Sequence, residues 1–302
     1  MTVSNGSYVY VDGKFYTEDE AKISVFDHGF LYGDGIFETV IVYHGRVFAF
    51  DEHVDRLFMS AAAIKLNIGC TKEEVKKAIV ETLRKNAATD AYLKIYISRG
   101  KGLPFLDPAL CEKPTVVIML IHGKTKEIFD MPPPKEGLKV FVPSIRKIPS
   151  VCLDSRIKSL QYLNGILARM EAKEAGADDA ILLDINGFVA EGTAENVFVA
   201  KDGVLYTPPV TNTLDGVTRR ALMRLAENEG IRVQVQNLTL YDLYTADEVF
   251  FASTAGGTVP IGQVNGRKIG KEWPGPLTKT MQGLYMKEVS RADVVVDASG
   301  PT

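Results

Sequence analysis

No run of about 18 apolar residues occurs in this 302-residue chain, so no membrane-spanning helix is expected. Cysteine is scarce: Cys70, Cys111 and Cys152 lie far apart. An odd, scattered set fits reduced thiols in a cytoplasm better than a disulfide framework or a zinc site. The four histidines, His28, His44, His53 and His122, show no metal-ligand spacing, and no metal is expected. There is no excess of positive charge. The formal net charge of -3 argues against nucleic acid or an acidic membrane surface as the main partner. Met1-Thr2-Val3-Ser4-Asn5-Gly6 has neither the basic nor the apolar stretch of a secretory signal. No internal repeat or low-complexity tract is present. Gly33-Asp34-Gly35 lacks the third glycine and the strand-turn-helix setting of a dinucleotide loop.

What is present is an ordinary globular composition, 46% hydrophobic and 24% charged, on a chain long enough for two cores. Asp12-Gly13 between residues 8–11 and 14–16 is a hairpin signal. Residues 36–43 are β-branched and aromatic and turn at His44-Gly45. Asp51 is expected to cap a helix running to Leu66. Thr71 with Glu74 is expected to open a second helix, ending near Asn86. Residues 92–98 and 115–121 read as strands, so the first half should be a sheet carrying two helices. Pro132-Pro133-Pro134 cannot continue a helix or a central strand. A small α+β domain is therefore expected over 1–123, a linker over 124–136 and a larger domain over 137–302. There, 138–142 reads as a strand and 159–175 as a helix faced by Leu160, Leu163, Leu167 and Met170. Residues 180–208 read as three strands joined by Asn186-Gly187 and Asp202-Gly203. Helices over 218–228 and 276–288 and a strand over 248–252 complete a mixed α/β arrangement, unlike the regular βαβ of a Rossmann domain.

Four segments carry the chemistry. Lys158 stands in Arg156-Ile157-Lys158-Ser159-Leu160-Gln161-Tyr162, just ahead of the expected helix. Two acids share Glu191-Gly192-Thr193-Ala194-Glu195-Asn196. Gly216-Val217-Thr218-Arg219 opens a helix, where backbone N–H groups and the helix dipole favour a phosphate dianion. Ser253-Thr254-Ala255-Gly256-Gly257 is a second small-residue turn with a hydroxyl. A lysine amine, a carboxylate for a ring nitrogen and two phosphate-sized turns are the parts needed to hold pyridoxal phosphate as a Schiff base.

The order and wording of these segments resemble the class IV aminotransferases, the fold type IV pyridoxal phosphate enzymes, over nearly the whole chain. That resemblance implies a two-domain, D-amino acid aminotransferase-like architecture. It implies Lys158 as the Schiff-base lysine and Glu191 as the ring-nitrogen partner, with Glu195 as the rival acid. Tyr162 matches a tyrosine that hydrogen-bonds the cofactor's phenolic oxygen; a ring that is merely packed is the alternative. Arg56, Val217, Thr218 and Thr254 match the phosphate-binding positions. Tyr32, Phe37, Thr39, Tyr92, Lys94 and Ala255 match the substrate side. A homodimer is implied as well, with Tyr32 and the 100–106 loop lent to the partner subunit.

Subtype motifs point in several directions. Branched-chain members resemble Tyr-Gly-x-x-Val-Phe-Glu-Gly-Ile-Arg followed by Tyr-Ile-Arg. Here Tyr32, Phe37 and Glu38 hold, but Thr39 replaces the glycine, Ile41 the arginine and Lys94 the second arginine. A lysine point charge does not reproduce arginine's fork. Thr39 and Leu93-Lys94 resemble the aminodeoxychorismate lyases, whose further arginine falls at Pro104. The 253–261 and 216–219 runs resemble the (R)-amine aminotransferases. The leading expectation is a cytoplasmic ping-pong transaminase. It would move an amino group from a small hydrophobic donor, a branched-chain L-amino acid first, to 2-oxoglutarate as the keto-acid acceptor. (R)-amine or D-amino acid transamination, the lyase reaction, and a non-catalytic carrier of the cofactor are the alternatives.

Overall fold

The structure, a computed structural model, describes residues 7–121, 135–293 and 295–296. The triproline and most of the expected linker lie outside the described residues. The chain divides into two compact units, one drawn from 1–130, 157–161 and 288–302, the other from 131–156 and 162–287. Lys158 thus belongs to the first unit, although the segments on either side of it, 131–156 and 162–287, belong to the second. No described helix is long and apolar enough to cross a membrane.

The first unit is built on an antiparallel sheet of six strands: β1 (Tyr8–Val11), β2 (Lys14–Thr17), β3 (Gly35–Tyr43), β4 (Arg46–Val47), β5 (Ala91–Ser98) and β6 (Thr115–Ile121), in the order β2-β1-β6-β5-β3-β4. Strand periodicity decides which side chains reach which face. In β5, Leu93, Ile95 and Ile97 are buried while Tyr92, Lys94 and Tyr96 alternate with them, half-buried. The buried set packs with Ile36, Val40, Leu57, Ile79 and Leu83 into one core. Each such side chain contributes about 1.5–3 kcal/mol on burial. Leu57 lies on α2 (Phe50–Ala63), Ile79 and Leu83 on α3 (Lys72–Lys85). The short α1 (His28–Tyr32) precedes β3.

The Thr71–Glu74 capping box forms as expected. Asp51 does not cap α2. The helix starts at Phe50 with Ala49 in a left-handed conformation at its N-cap, and Asp51 pairs with Lys76 at 2.6 Å from the first turn. A carboxylate there still favours the helix through its dipole.

The second unit holds a mixed sheet of nine strands. They are β7 (Leu138–Phe141), β8 (Asp179–Leu183), β9 (Val189–Gly192), β10 (Asn196–Lys201), β11 (Val204–Thr207), β12 (Val233–Val235), β13 (Glu248–Ser253), β14 (Gly257–Val264) and β15 (Arg267–Lys268). The path runs β12-β11-β10-β13-β14-β7-β8-β9, with β15 paired to β14. Four strands, not three, fill 180–208, because the chain turns at 193–195 with Gly192 N–H donating to Glu195 O at 2.6 Å. β14, not expected from the sequence, contains Pro260, and its ladder to β7 begins one residue later at Ile261. The helices are α4 (Leu163–Glu174), α5 (Val217–Asn228), α6 (Leu240–Tyr244) and α7 (Pro276–Val289).

The helix expected from 159 begins only at Leu163. Its buried face is also not the expected one. Leu163, Leu167 and Met170 are exposed, while Ala168 and Ala172 pack with Ala180 and Leu182. Small alanines let the helix approach its strand closely, and the leucine spacing marks the outer face.

Candidate active site

Lys158 sits in a non-helical segment, in a tight turn closed by Ser159 N–H to Ile157 O at 2.8 Å, and the helix begins only at Leu163. Three hydrogen bonds hold its backbone surroundings: Phe37 N–H to Lys158 O at 2.8 Å, Leu160 N–H to Gly35 O at 3.0 Å, and Lys158 N–H to Ser60 Oγ at 3.2 Å. The segment thereby lies along the start of β3, bridged at Ile36 and Ser159. Gly35 is required there, since a Cβ would meet Ile97 O at 2.6 Å and Leu160 Cδ1 at 2.7 Å. The Lys158 ammonium stands 4.4 Å from the centroid of the Phe37 ring, a cation–π distance that fixes where the amine points.

Helical spacing aligns His53, Arg56 and Ser60 on one side of α2. Arg56 donates from Nε to Glu38 Oε1 at 2.6 Å and from Nη2 to Glu38 Oε2 at 3.0 Å. His53 Nδ1 lies 2.9 Å from Glu38 Oε2. All three side chains are buried. Burial alone would raise the Glu38 carboxyl, but the Arg56 charge and the His53 contact outweigh it and hold it well below the usual carboxylate range. Burial pushes His53 down, so its imidazole is neutral and its contact with Glu38 is a hydrogen bond, not an ion pair.

The register of β3 against β5 sets Phe37 opposite Tyr96, Thr39 opposite Lys94 and Ile41 opposite Tyr92. Phe37 and Tyr96 stack at 5.7 Å. Lys94 Nζ lies 5.8 Å from the Tyr92 ring and 5.9 Å from those of Phe37 and Tyr96. The expected substrate residues Phe37, Thr39, Tyr92 and Lys94 therefore share one face, joined by Tyr96, which no sequence motif singles out. Tyr32 closes α1, its ring edge-on to His28 at 5.1 Å.

In the second unit, Glu191 on β9 is buried. Its Oε1 pairs with Lys147 Nζ at 2.5 Å and its Oε2 accepts from Leu214 N–H at 2.8 Å. No sequence signal marks Lys147: in Arg146-Lys147 it reads as one more surface cation. Glu195 has a different setting. Its Oε2 accepts from Ala194 N–H at 2.9 Å. Burial and then the Asp179 charge push its carboxyl up to about 7. Asp179 itself is held by Arg169 and by Thr193 Oγ1. Tyr162 is half-buried at the N-cap of α4.

The start of α5 has no side-chain cap, and Val217, Thr218 and Arg219 are all buried there. First-turn N–H groups have no partner within the helix. The N-cap, Gly216, admits no side chain, because a Cβ would run into Asn196 Oδ1. Arg219 turns to Thr207 Oγ1 and Pro208 O, so it braces the loop. Thr218 meets the Tyr285 hydroxyl, which burial raises to about 12. Thr254 and Ala255 lie half-buried in the β13–β14 turn, where Gly256 N–H donates to Ser253 Oγ at 3.2 Å. A buried, uncapped helix start without room for a side chain at its cap fits a phosphate group.

Comparison with known proteins agrees with this chemistry. The family model "Amino-transferase class IV" matches residues 35–264. A provisionally named branched-chain-amino-acid aminotransferase of Methanocaldococcus jannaschii is 46% identical over 280 residues, covering 92% of this chain and 94% of that protein. A D-alanine aminotransferase of Bacillus licheniformis is 34% identical, covering 93% of this chain and 96% of its own. The crystal structure of a T.th. branched-chain amino acid aminotransferase, complexed with N-(5′-phosphopyridoxyl)-L-glutamate, superposes with a TM-score of 0.87 at 32% identity, covering 94% of each chain. With the family match spanning most of the chain and relatives aligned over nearly all of it, this chain belongs to the class IV aminotransferases, enzymes that work with pyridoxal 5′-phosphate.

Proposed function

We propose that this aminotransferase takes its amino group from branched-chain L-amino acids and passes it to 2-oxoglutarate. The observation that carries the reading is the placement of Lys158, with its backbone pinned to β3 and α2 and its amine over the Phe37 ring. When bound, pyridoxal phosphate would supply an electron sink at the donor's Cα. Lys158 would hold the cofactor through Nζ and would serve as the base and acid that carries the donor's Cα proton. Glu191, fixed by Lys147 and Leu214 N–H, would keep the proton on the ring nitrogen. By the family resemblance, Arg56, Val217, Thr218 and Thr254 would take the phosphate, and Tyr162 the phenolic oxygen. Phe37, Tyr92 and Tyr96 offer apolar surface for a branched side chain. Lys94, with Thr39 beside it, is the cation for a substrate carboxylate. Tyr32 and Ala255 complete the substrate side.

Relatives named for branched-chain substrates support the choice of donor, and the glutamate adduct in the T.th. structure supports the 2-oxoglutarate half. These favour the branched-chain reading over the (R)-amine, D-amino acid and lyase alternatives. The test is the absorbance of the holoenzyme on adding L-leucine, D-alanine and (R)-1-phenylethylamine separately, without an acceptor. Conversion to the amine form of the cofactor by L-leucine is expected. Conversion by D-alanine or the (R)-amine alone overturns the proposed donor.

The enzyme works as a homodimer. Val25, Phe26, Phe30, Leu103, Phe105 and Leu106 are exposed. Their two segments are tied together by Gly102 N–H to Phe26 O and by His28 Nε2 to Leu103 O. A clustered apolar surface of this kind marks an association face. The scattered free cysteines fit a reducing cytoplasm.

A further inference from the structure

Glu38 and His53 have no part in the roles assigned so far, yet they are among the most buried polar groups of the first unit, at 1% and 0% exposure. Glu38 accepts four hydrogen bonds. Oε1 takes Arg56 Nε, and Oε2 takes Arg56 Nη2, His53 Nδ1 and the Thr39 N–H at 3.0 Å. Three of the four fall on Oε2, so that oxygen is fully engaged. Because an ionised carboxylate only accepts, Nδ1 of the neutral His53 must donate, and its lone pair sits on Nε2. Nε2 is buried with no hydrogen-bond partner among the described residues. An unmet acceptor costs stability, so packing alone is a poor reason for histidine at this place. What histidine supplies is the Nδ1–H.

We propose that Glu38 and His53 are positioning residues for Arg56: Glu38 fixes the guanidinium by accepting along its Nε–Nη2 edge, and His53 fixes Glu38, so that Arg56 meets the cofactor phosphate in one orientation. The inference rests on the reading of Arg56 as a phosphate ligand. Its geometry follows from the fold. Glu38 points from β3 towards α2, and His53 and Arg56 stand one helical turn apart on α2. An arginine on an exposed helix face has several rotamers to lose on binding; an arginine already held along one edge has lost them in folding. The same carboxylate offsets the arginine's charge, so orientation more than net charge is what the cluster provides.

The test compares two forms of the cofactor. The full-length chain is stripped of cofactor and titrated with pyridoxal 5′-phosphate and with pyridoxal, which lacks the phosphate. H53L is expected to raise the Kd for pyridoxal 5′-phosphate about tenfold, the loss of one hydrogen bond to a charged group, and to leave pyridoxal binding unchanged. H53N, whose side-chain N–H replaces Nδ1–H, restores the phosphate preference; H53Q, reaching to the Nε2 position, does not. E38Q carries the same comparison if H53L fails to fold. R56Q separates the two readings. If R56Q keeps the preference for the phosphorylated form, Arg56 is not a phosphate ligand and the underlying assignment fails. If R56Q loses that preference while H53L and E38Q keep it, the positioning role is overturned. Equal weakening of both cofactor forms by H53L also overturns it, because a merely structural histidine gives that result.

Discussion

Lys147 Nζ stands 2.5 Å from Glu191 Oε1, and this pairing favours Glu191 over Glu195 as the acid that serves a ring nitrogen. Glu191 is buried and held by a cation and a backbone N–H. Glu195 faces Asp179 instead, and its carboxyl is raised. A carboxylate paired with a cation can hold a proton on a pyridine nitrogen; one pushed towards neutrality cannot do so as well.

Replacing Lys147 by methionine leaves Glu191 buried with its charge unpaired. Breaking a buried pair costs about 3–5 kcal/mol, and the partial exposure of Lys147 brings the expected loss down to about 2 kcal/mol. Urea unfolding of K147M should show it. The kcat should also fall about 10–100-fold, as when a supporting partner of a site residue is lost, with less change in KM.

Any side chain at position 216 collides with Asn196, whose Nδ2 also holds Leu214 O at 2.9 Å. G216A should therefore displace the loop that leads into α5. Overpacking of this kind costs about 1–3 kcal/mol. The expected outcome is a melting temperature a few degrees lower and, more tellingly, faster loss of cofactor on dilution into inorganic phosphate. Retention as in the parent enzyme would separate Gly216 from the phosphate site.

Much of this site is legible as sequence because its parts are local. The helix start at Gly216-Val217-Thr218 and the capping box at Thr71 and Glu74 depend on neighbours one to four residues away. The class IV wording carries Lys158 and Glu191 in the same way. What stays hidden depends on distant chain segments. Lys147 meets a residue 44 positions on, and nothing in Arg146-Lys147 announces it. Glu38, His53 and Arg56 can be seen as motif letters, but only the β3–α2 packing makes them one cluster. The Leu160, Leu163, Leu167 and Met170 spacing misleads because amphipathic pattern reports a face, and does not say whether that face meets the core or the outside. β14 escapes notice because Pro260 argues locally against a strand.

Among the described residues Lys94 has no acidic partner; three aromatic rings surround it at 5.8–5.9 Å. Rings can steady an ammonium without neutralising it, which leaves its charge for a substrate carboxylate. K94M should raise the KM for 2-oxoglutarate about tenfold, the loss of one charged hydrogen bond, and leave kcat within about twofold. Steady-state kinetics with L-leucine at saturation would check this. A fall in kcat with KM unchanged would place Lys94 outside substrate recognition.

Two groups, His53 and Glu195, give the enzyme opposite dependences of stability on pH, and substitutions separate them. Native His53 has its pKa lowered, chiefly by burial. Below about 6.5 the unfolded chain binds a proton that the native state refuses, so this contribution is present above that pH and is lost as pH falls, by up to about 1.4 kcal/mol per pH unit. Glu195 runs the other way. Its native pKa is raised to about 7, first by burial and then by Asp179, so between about 4.3 and 7 the native state holds a proton that the unfolded chain releases. Its effect therefore destabilises progressively as pH rises through that window. Denaturant unfolding from pH 5 to pH 8 should show H53L losing the first slope and E195Q losing the second. E195Q should gain on the parent enzyme at pH 8 and show little gain at pH 5. A gain for E195Q that is the same at both pH values would mean that Glu195 titrates normally in the native state.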